Sequence, residues 1–524
     1  MSSTMKRQPV TVYNVAILFF VSLGSMSFGW AASIISTTLA QPSFLAYFQL
    51  DTRPDGTDLI STMNGLFQAG AVIGSLAVSP VADRWGRKAA LASSAIIIII
   101  SGACLAGSTS VAMFIVFRFF SGLGSYMILT ATTIWMSEVV PPAYRGALMD
   151  ISAFGFELGY TSSTWVGFGF YFWKSKSGDE WRPPLALQCL WPLILLLGLP
   201  WVPESPRYLI LKDRVEEAQK VLERLHHRPG DPDLSFARTE LYQIRKQIAI
   251  DRTLPSSWID MFRKPSYRKR TLFALGTIGI VQCSGVLVIN NYGPSLYSAL
   301  GFSTAQQLLY QCGWITMSLG LATMAMPLID MFPRPRYFSF GIAFCMACLI
   351  VEAAIISNFG TTLTNHAALR AGVAMFFVYQ IGYCVFLDSI SFTYVTELFP
   401  THLRAKGASM GIAMLALMNI IWLQAAPTAF ENIGWKFYLC FIIPCSLGGL
   451  LILFKWPDTR GLPLEEVAAL FGDADEVAVY QREIEFDGGT HTVIDHHNEK
   501  GAIGVAVEQE DVGRREETSS GAAI

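Results

Sequence analysis

Acidic and basic side chains recur in this chain at spacings that favour ion pairing. In SEVVPPAYRG, Glu138 precedes Arg145 by seven residues, and in TELFPTHLRAKG, Glu397 precedes Arg404 by the same interval. The second pair follows the first after 259 residues. Carboxylate and guanidinium groups in such turns form charge-assisted hydrogen bonds. These charges are therefore candidates for ion pairs, with solvated charge at helix ends as the alternative.

Other motifs repeat at nearly the same interval. Asp83 in DRWGRK lies 247 residues before Asp330 in DMFPRPR, and PESPR at position 203 lies 254 residues before PDTRG at 457. Independent signals at nearly one offset indicate an internal repeat. A strongly charged stretch, residues 203–270, separates the two copies.

Several charged residues lie inside apolar stretches, among them Glu352 near the outer end of the ninth. Glu157 and Asp388 fall near the middle of theirs, and Arg118 lies within another. Ionised groups are expensive inside a bilayer and tend to line cavities. Glu157 or Asp388 could bind a proton, a substrate amine or a hydroxyl. A protonated or arginine-paired structural carboxyl is an equally good interpretation of each.

Composition places the chain in a membrane. Of its 524 residues, 52% are hydrophobic and 15% charged, and the mean hydropathy is +0.41. Soluble domains carry about 25% charged residues. Twelve apolar segments, six before the charged stretch and six after it, predict an all-α membrane protein. The predicted fold has twelve transmembrane helices in two pseudo-symmetric six-helix bundles, with the lipid bilayer as a partner.

The sequence has no pattern typical of an enzyme. It contains no catalytic-triad spacing and no glycine loop for phosphate. Its nine cysteines lie in apolar segments without metal-ligand spacing and are interpreted as small buried residues. We expect no enzymatic activity, cofactor, metal or nucleic-acid partner.

The repeat divides the chain into four predicted regions. Residues 1–202 and 271–456 are the two bundles, and residues 203–270 form a cytoplasmic linker with short amphipathic helices. The tail, residues 457–524, is acidic and poor in aromatic residues, so it is predicted to be mostly disordered. Basic residues concentrate at the linker end of the bundles, which predicts that both termini are cytoplasmic.

Taken together, the motifs resemble the sugar porter family of the major facilitator superfamily, in its fungal form. The resemblance rests on DRWGRK, the two E-x6-R turns, PESPR, PDTRG and QCSGVLVINNYGPSLYSALGF, and it covers about residues 12–470. It implies the major facilitator fold, a monomer in the plasma membrane and a small-molecule solute that moves by alternating access.

The charged turns are predicted to form a cytoplasmic gate by pairing across the two halves. Breaking a half-buried pair costs about 3–5 kcal/mol, enough to shift a two-state equilibrium. The alternative, solvated charge at helix ends, contributes about 0–1 kcal/mol per pair. The repeat favours the gate. The predicted gate residues are Asp83, Arg84, Arg87, Glu138, Arg145, Glu204, Arg207, Asp330, Glu397 and Arg404, and the second half adds Arg334, Arg336, Asp458 and Arg460 at the same surface.

The resemblance also assigns solute contacts to the seventh, tenth and eleventh segments. The matching candidates are Gln282, Asn290, Asn291, Tyr292, Phe392 and Asn419. For any single candidate, interhelical hydrogen bonding or packing is an equally good explanation. The chain departs from the family where Ala153, Val281 and Leu287 replace amide side chains. Each lost amide removes hydrogen bonds to a sugar hydroxyl, so the site suits a plain hexose less well.

Proton coupling is where the chain and the family differ most. Symporters of the family carry an aspartate in the first segment, where this chain has Ala31, while the basic partner remains as Arg118. Alanine cannot titrate, so the sequence favours facilitated diffusion. If another group carries a proton, Asp388 and Glu157 are the candidates.

The predicted function is therefore transmembrane transport of a sugar or a sugar-like small polar solute. One alternative is transport of a non-sugar metabolite, such as a small acid or a secondary metabolite, which the altered site favours. Another is a nutrient sensor that does not transport, although the tail is short for a sensor of this family.

Overall fold

The structure is a computed structural model. It describes residues 11–140, 145–173, 178–226, 234–255, 257–329, 331–359, 366–459, 471–472, 484–487 and 492–495. Two predicted gate positions, Asp330 and the side chain of Arg145, lie outside this description, and so does Arg460.

The described part of the first half contains six helical segments, five of which are long and apolar enough to cross a membrane. Side-chain caps define two of their starts, because Thr11 accepts from the backbone N–H of Asn14 and Ser110 from that of Met113. The helices are α1 (Val12–Leu39), α2 (Pro42–Phe48), α3 (Gly56–Trp85), α4 (Arg87–Ala106), α5 (Val111–Val139), α6 (Arg145–Phe172), α7 (Arg182–Ala186) and α8 (Leu190–Gly198). The short α2 lies in the loop after α1, and α7 with α8 forms the sixth segment.

Four short helices follow in the linker. They are α9 (Pro206–Leu211), α10 (Val215–His226), α11 (Ser235–Asp251) and α12 (Asp260–Arg263). Leu209, Leu222 and Leu241 belong to a small apolar cluster shared by α9, α10 and α11. His226 on α10 also contacts Glu240 on α11 at 2.6 Å. Helices α9, α10 and α11 thus form a packed unit, whereas Met261 of α12 belongs to the apolar core of the second half.

The second half repeats the six-segment plan. Its helices are α13 (Pro265–Gln282), α14 (Val286–Ala299), α15 (Thr304–Ile329), α16 (Arg334–Phe359), α17 (His366–Tyr383), α18 (Ser389–Leu398), α19 (Thr401–Ile433) and α20 (Leu439–Lys455). In the described part of the chain, nine continuous helical stretches are long and apolar enough to cross a membrane. The predicted all-α membrane fold is confirmed.

Two segments of the second half are interrupted. The seventh divides into α13 and α14 at Gly285, whose φ of +84° is a left-handed conformation that glycine adopts readily. The tenth divides into α17 and α18 at a π-helical turn, Cys384–Asp388. Such turns are frequent at functional sites because they reorient side chains.

Each half has its own apolar core. Trp135, Ile98 and Val21 are buried in the first, and Tyr379, Tyr394 and Phe338 in the second. We call the end of the bundles next to residues 203–270 the linker side, and the opposite end the far side.

A short ribbon occurs in the tail. Strands β1 (Ile484–Asp487) and β2 (Thr492–Asp495) pair antiparallel, with Glu485 opposite Ile494 and Phe486 opposite Val493, and both contact α11. Apart from this ribbon and residues 457–459 and 471–472, the tail lies outside the described residues, so its predicted disorder stays a prediction.

Candidate solute cavity

A cavity of about 800 Å³ lies between the two halves. Much of its wall is aromatic or apolar. The wall includes Phe28, Tyr126, Phe156, Tyr160, Ile278, Val286, Leu287, Trp314, Ile315, Tyr383, Phe392 and Leu415. A volume of this size holds one small molecule, and such sites are mostly apolar with a few orienting polar groups.

Direct contacts between the halves close the far side. Asn64 on α3 donates to the hydroxyl of Tyr292 on α14 at 2.9 Å, and both groups are buried. Thr57 donates to Glu431 at 2.8 Å nearer the far-side surface. At Gly65, an added Cβ would lie 2.1 Å from the side-chain oxygen of Gln424, so α3 and α19 pack as closely as glycine allows.

The cavity extends instead toward the linker side. Its wall there includes Glu138, Arg207, Glu397 and Arg404. The described hydrogen bonds between the halves lie from the middle of the bundle outward to the far side. This conformation is therefore closed on the far side, with the cavity reaching the linker-side charges.

In the first half, the linker-side charges form one network around Arg87. Two of its side-chain nitrogens donate to Glu138, at 2.8 and 2.9 Å, and a third lies 3.4 Å from Asp83. Glu204 accepts from the backbone N–H groups of Arg87 and Lys88 at the start of α4, where a helix stabilises negative charge.

The second half builds a similar network around Arg334. Its side chain donates to Glu397 at 3.0 Å, and its backbone N–H donates to Asp458 at 3.0 Å. Thr459 donates to the second oxygen of Glu397 at 2.6 Å. Asp458 thus occupies the helix-start position that Glu204 holds in the first half.

These ion pairs join helices of the same half. The sequence predicts pairing across the halves, but in this conformation the described pairs of Arg87 and Arg334 stay within one bundle. The reason is geometric, because the cavity separates the two halves on this side. Arg84 is exposed and stacks on Trp85, with 5.1 Å from the guanidinium carbon to the ring centroid.

Three of the six predicted solute contacts line the cavity: Gln282, Asn290 and Phe392. The side-chain oxygens of Gln282 and Asn290 are buried without a hydrogen-bond partner in the described part of the chain. Gln380, which sequence reasoning missed, also lines the wall with an oxygen in the same condition. Three amide side chains therefore lie in the wall with oxygens that are enclosed in this conformation and that no group in the described residues satisfies.

The other three predicted contacts are absent from this wall. Tyr292 belongs to the far-side closure, and its hydroxyl also donates to the carbonyl of Leu423 at 3.0 Å. Asn291 donates back to the carbonyl of Leu287 on its own helix at 3.0 Å. Asn419 is buried on α19, behind the wall. A direct solute contact by any of the three remains a prediction.

Both predicted carboxylates line the cavity, and they come from opposite halves. Glu157 on α6 is buried and accepts a hydrogen bond from Ser318 on α15 at 2.5 Å. Asp388 ends the π-helical turn of the second half, is half-buried and lies within electrostatic range of Glu157. Depth along the helices identified both residues, but nothing in the sequence indicated Ser318.

Arg118 lies away from this pair. Its side chain is 1% exposed, donates to the backbone carbonyl of Ala31 at 3.3 Å and lies over the Phe67 ring at 4.2 Å. The basic partner expected from the family is thus beside the position of the missing aspartate, and it does not line the cavity. Within the described residues, no group of three or more His, Cys, Asp or Glu side chains could hold a metal ion.

Comparison with known proteins agrees with this architecture. The profile of a family described as sugar (and other) transporter matches residues 17–471. This chain belongs to that family. It is therefore an integral membrane transporter of the major facilitator superfamily.

Curated relatives of this transporter include several fungal permeases. It is 29% identical to the MFS-type transporter criB of Aspergillus cristatus, over 85% of this chain and 90% of the relative. It is 26% identical to a probable quinate permease of Aspergillus clavatus, over 88% and 89%, respectively. It is 27% identical to the low-affinity glucose transporter of Kluyveromyces lactis, over 90% and 85%.

Solved structures share the fold of this transporter. The xylose transporter XylE from E. coli, in a partially occluded inward open conformation, superimposes with a TM-score of 0.73 at 20% identity, covering 86% of this chain and all of the other. The same symporter bound to 6-bromo-6-deoxy-D-glucose gives 0.72 at 22% identity, covering 88% and 99%.

Proposed function

We propose that this transporter moves a small, neutral solute rich in hydroxyl groups by alternating access of its two halves. The observation that carries the proposal is the surplus of acceptors in the cavity. Gln282, Asn290 and Gln380 line the wall with amide oxygens that are unpartnered and enclosed in this conformation, so a solute can bond to them once the side chains turn, and Glu157 and Asp388 add carboxylates. An unsatisfied buried acceptor costs about 1–3 kcal/mol, so a hydroxyl that donates to it gains affinity.

The same unpartnered acceptors and carboxylates also indicate which kind of solute the cavity suits, an acid such as quinate or a neutral sugar such as glucose. Quinate is an anion near neutral pH, and ionised carboxylates in the wall would repel it. Glucose is neutral and presents hydroxyl donors around its ring. Aromatic rings such as Trp314 and Tyr160 fit the apolar face of a sugar. A neutral sugar or sugar-like solute is therefore favoured over a carboxylic acid.

A non-sugar metabolite is the second candidate. Val281, Leu287 and Ala153 stand where the family has amides, and Leu287 and Ala153 lie in the cavity wall. A neutral solute with fewer hydroxyls and a larger apolar face, such as a secondary metabolite, would fit that wall. The amide oxygens would then orient it through one or two donors.

The proposal extends to topology and assembly. The bias of basic residues supports a cytoplasmic linker side, which would make this conformation inward-facing, with both termini inside the cell. We place the protein in the plasma membrane as a monomer that acts without a cofactor or enzymatic activity. Labelling Glu216→Cys on the linker and Asp51→Cys on the far side, in a Cys440→Ser background, tests the topology with an impermeant maleimide. Labelling of Glu216→Cys from outside intact cells contradicts it.

Uptake by a transporter-deficient host tests the function. Labelled glucose, xylose, quinate and neutral polyols are offered separately, and a neutral solute is expected to enter. Asn290→Ala, which removes a wall acceptor, is expected to raise the KM about 10-fold, equivalent to 1.4 kcal/mol. Asn291→Ala is the matched control, because the neighbouring side chain bonds to its own helix. Equal effects of the two changes would refute the assigned site, and preferential uptake of quinate would refute the neutral solute.

A further inference from the structure

Two carboxylates from different halves share one part of the cavity. Glu157 comes from the continuous helix α6 of the first half, and Asp388 from the π-helical turn of the second. Both line the wall, and each lies within electrostatic range of the other. Two negative charges at close quarters in a poorly hydrated site repel strongly. Binding of a single proton removes that repulsion, as in other carboxylate pairs.

The groups around the pair do not neutralise it. The titratable neighbours are Tyr160 on α6 and Tyr383 and Cys384 at the tenth segment, all uncharged in their protonated forms. Ser318 on α15 supplies one hydroxyl donor to Glu157. Facing side chains from α1 and α5 are Phe28 and Tyr126.

The basic side chains in the described cavity wall are at its linker-side end. They are Arg207 and Arg404, which share that end with Glu138 and Glu397. Arg118 is engaged with Ala31 and Phe67 behind the wall. A proton is thus the simplest cation that could neutralise the pair.

We propose that Glu157 and Asp388 hold one proton between them and couple its movement to that of the solute. The proposal rests on the transport function proposed above. A proton from water in the cavity adds to one carboxylate oxygen and later returns to water, with no other bond changed. Because each half supplies one carboxylate, a movement of one half relative to the other changes the electrostatic repulsion between the two carboxylates. Proton binding and conformation are therefore linked.

Carbodiimide labelling tests the shared proton without knowledge of the solute. Dicyclohexylcarbodiimide reacts with protonated carboxyls in apolar surroundings, and mass spectrometry of the purified full-length protein locates the adduct. At about pH 7 we expect labelling of Glu157 to fall about 10-fold in Asp388→Asn, because removing a neighbouring negative charge lets Glu157 ionise. Unchanged labelling would overturn the proposal.

Two further measurements exclude a structural artefact. Glu352 on α16 is buried away from the cavity, so its labelling should be the same in wild type and in Asp388→Asn if the fold is intact. If labelling of Glu352 does change in Asp388→Asn, the fold of that variant is altered, and the Ser318→Ala variant then provides the deciding measurement. This variant removes a donor that stabilises ionised Glu157, so the pH at which labelling of Glu157 falls to half its maximum should be higher than in wild type. If that pH does not rise, the proposal is overturned.

Vesicles loaded with a pH-sensitive dye test the coupling itself. Glucose, xylose and each polyol are added in turn, and a solute that enters should carry protons with it in wild type. Entry of a solute without proton movement refutes the coupling but leaves transport intact. If no solute enters, the proposed function fails, while the labelling result still decides whether the pair shares a proton.

Discussion

The two halves are alike at the linker side and different at the middle of the membrane. In the first half, the Trp135 indole donates to the Pro203 carbonyl at 3.0 Å. In the second, the Tyr394 hydroxyl donates to the Pro457 carbonyl at 2.9 Å. The two donors are 259 residues apart, as are the two glutamates of the charge networks. The repeat therefore preserves a complete linker-side unit that ties the fourth segment of each half to the end of its sixth.

At the middle of the membrane, the two halves differ in the continuity of their helices. The first and fourth segments, α1 and α5, run unbroken, whereas their counterparts are interrupted at Gly285 and at Cys384–Asp388. Interrupted helices place side chains where a regular helix does not, and breaks of this kind are common where transporters bind their cargo. At these two segments the first half is continuous, and the second carries the irregularities that lie along the cavity.

Of the substitutions considered, Glu138→Gln should reduce stability and uptake the most. The Arg87 and Glu138 side chains are 8% and 12% exposed and joined by two hydrogen bonds, so Glu138→Gln leaves a buried guanidinium poorly matched. Loss of one partner from such a pair costs about 3–5 kcal/mol. We expect a clear drop in the thermal unfolding temperature of the purified protein and loss of uptake.

Glu397→Gln is the matched change in the second half. Its side chain is 23% exposed, so water can partly replace the lost charge, and a smaller drop in unfolding temperature is expected. If Glu397→Gln is as damaging as Glu138→Gln, exposure does not set the difference between the networks. If both variants keep wild-type stability and uptake, the networks are only surface charge.

Substitution at the break of the seventh segment should have an intermediate effect. Gly285 has a φ of +84°, and an added Cβ would lie 3.0 Å from the Phe441 ring. A left-handed conformation costs a non-glycine residue about 1–2 kcal/mol. Gly285→Ala should therefore lower the free energy of unfolding by about that amount and reduce the rate of uptake.

Gly320→Ala provides the control for that change. Gly320 lies in α15 with no atom within 4 Å of an added Cβ, and alanine is the better helix former by about 1 kcal/mol. It should leave uptake unchanged and stability unchanged or slightly higher. A neutral Gly285→Ala would show that the break does not depend on glycine.

The sequence was sufficient for the fold because hydropathy and the repeat are properties of whole segments. It also identified Glu157 and Asp388, because a charge in an apolar segment stands out. The sequence could not show that Asn290 lines the cavity while Asn291 does not. The seventh segment breaks at Gly285, and which side of α14 is turned toward the cavity depends on that break. The sequence also failed to predict that the described pairs of Arg87 and Arg334 lie within each half, because one motif spacing is compatible with both arrangements and conformation decides between them.

Loss of a single hydrogen bond that supports the π-helical turn should have the smallest effect on stability. The Tyr337 hydroxyl on α16 donates to the backbone carbonyl of Val385 within the turn at 2.8 Å. A π-helical turn disturbs the regular hydrogen-bond ladder, and an outside donor can satisfy a carbonyl there. Tyr337→Phe removes that donor and should lower the free energy of unfolding by about 0.5–1.5 kcal/mol.

The matched change is Tyr208→Phe, which removes a 3.3 Å bond to the Arg84 carbonyl at the linker side of the first half. Both variants lose one hydroxyl, so their stabilities should fall by similar small amounts. Only Tyr337→Phe should also raise the KM for the transported solute, because the turn it supports ends at Asp388 in the cavity wall. If Tyr208→Phe alters the KM equally, the π-helical turn of the tenth segment does not affect solute binding more than the linker-side contact does. The two halves would then differ in shape but not in role.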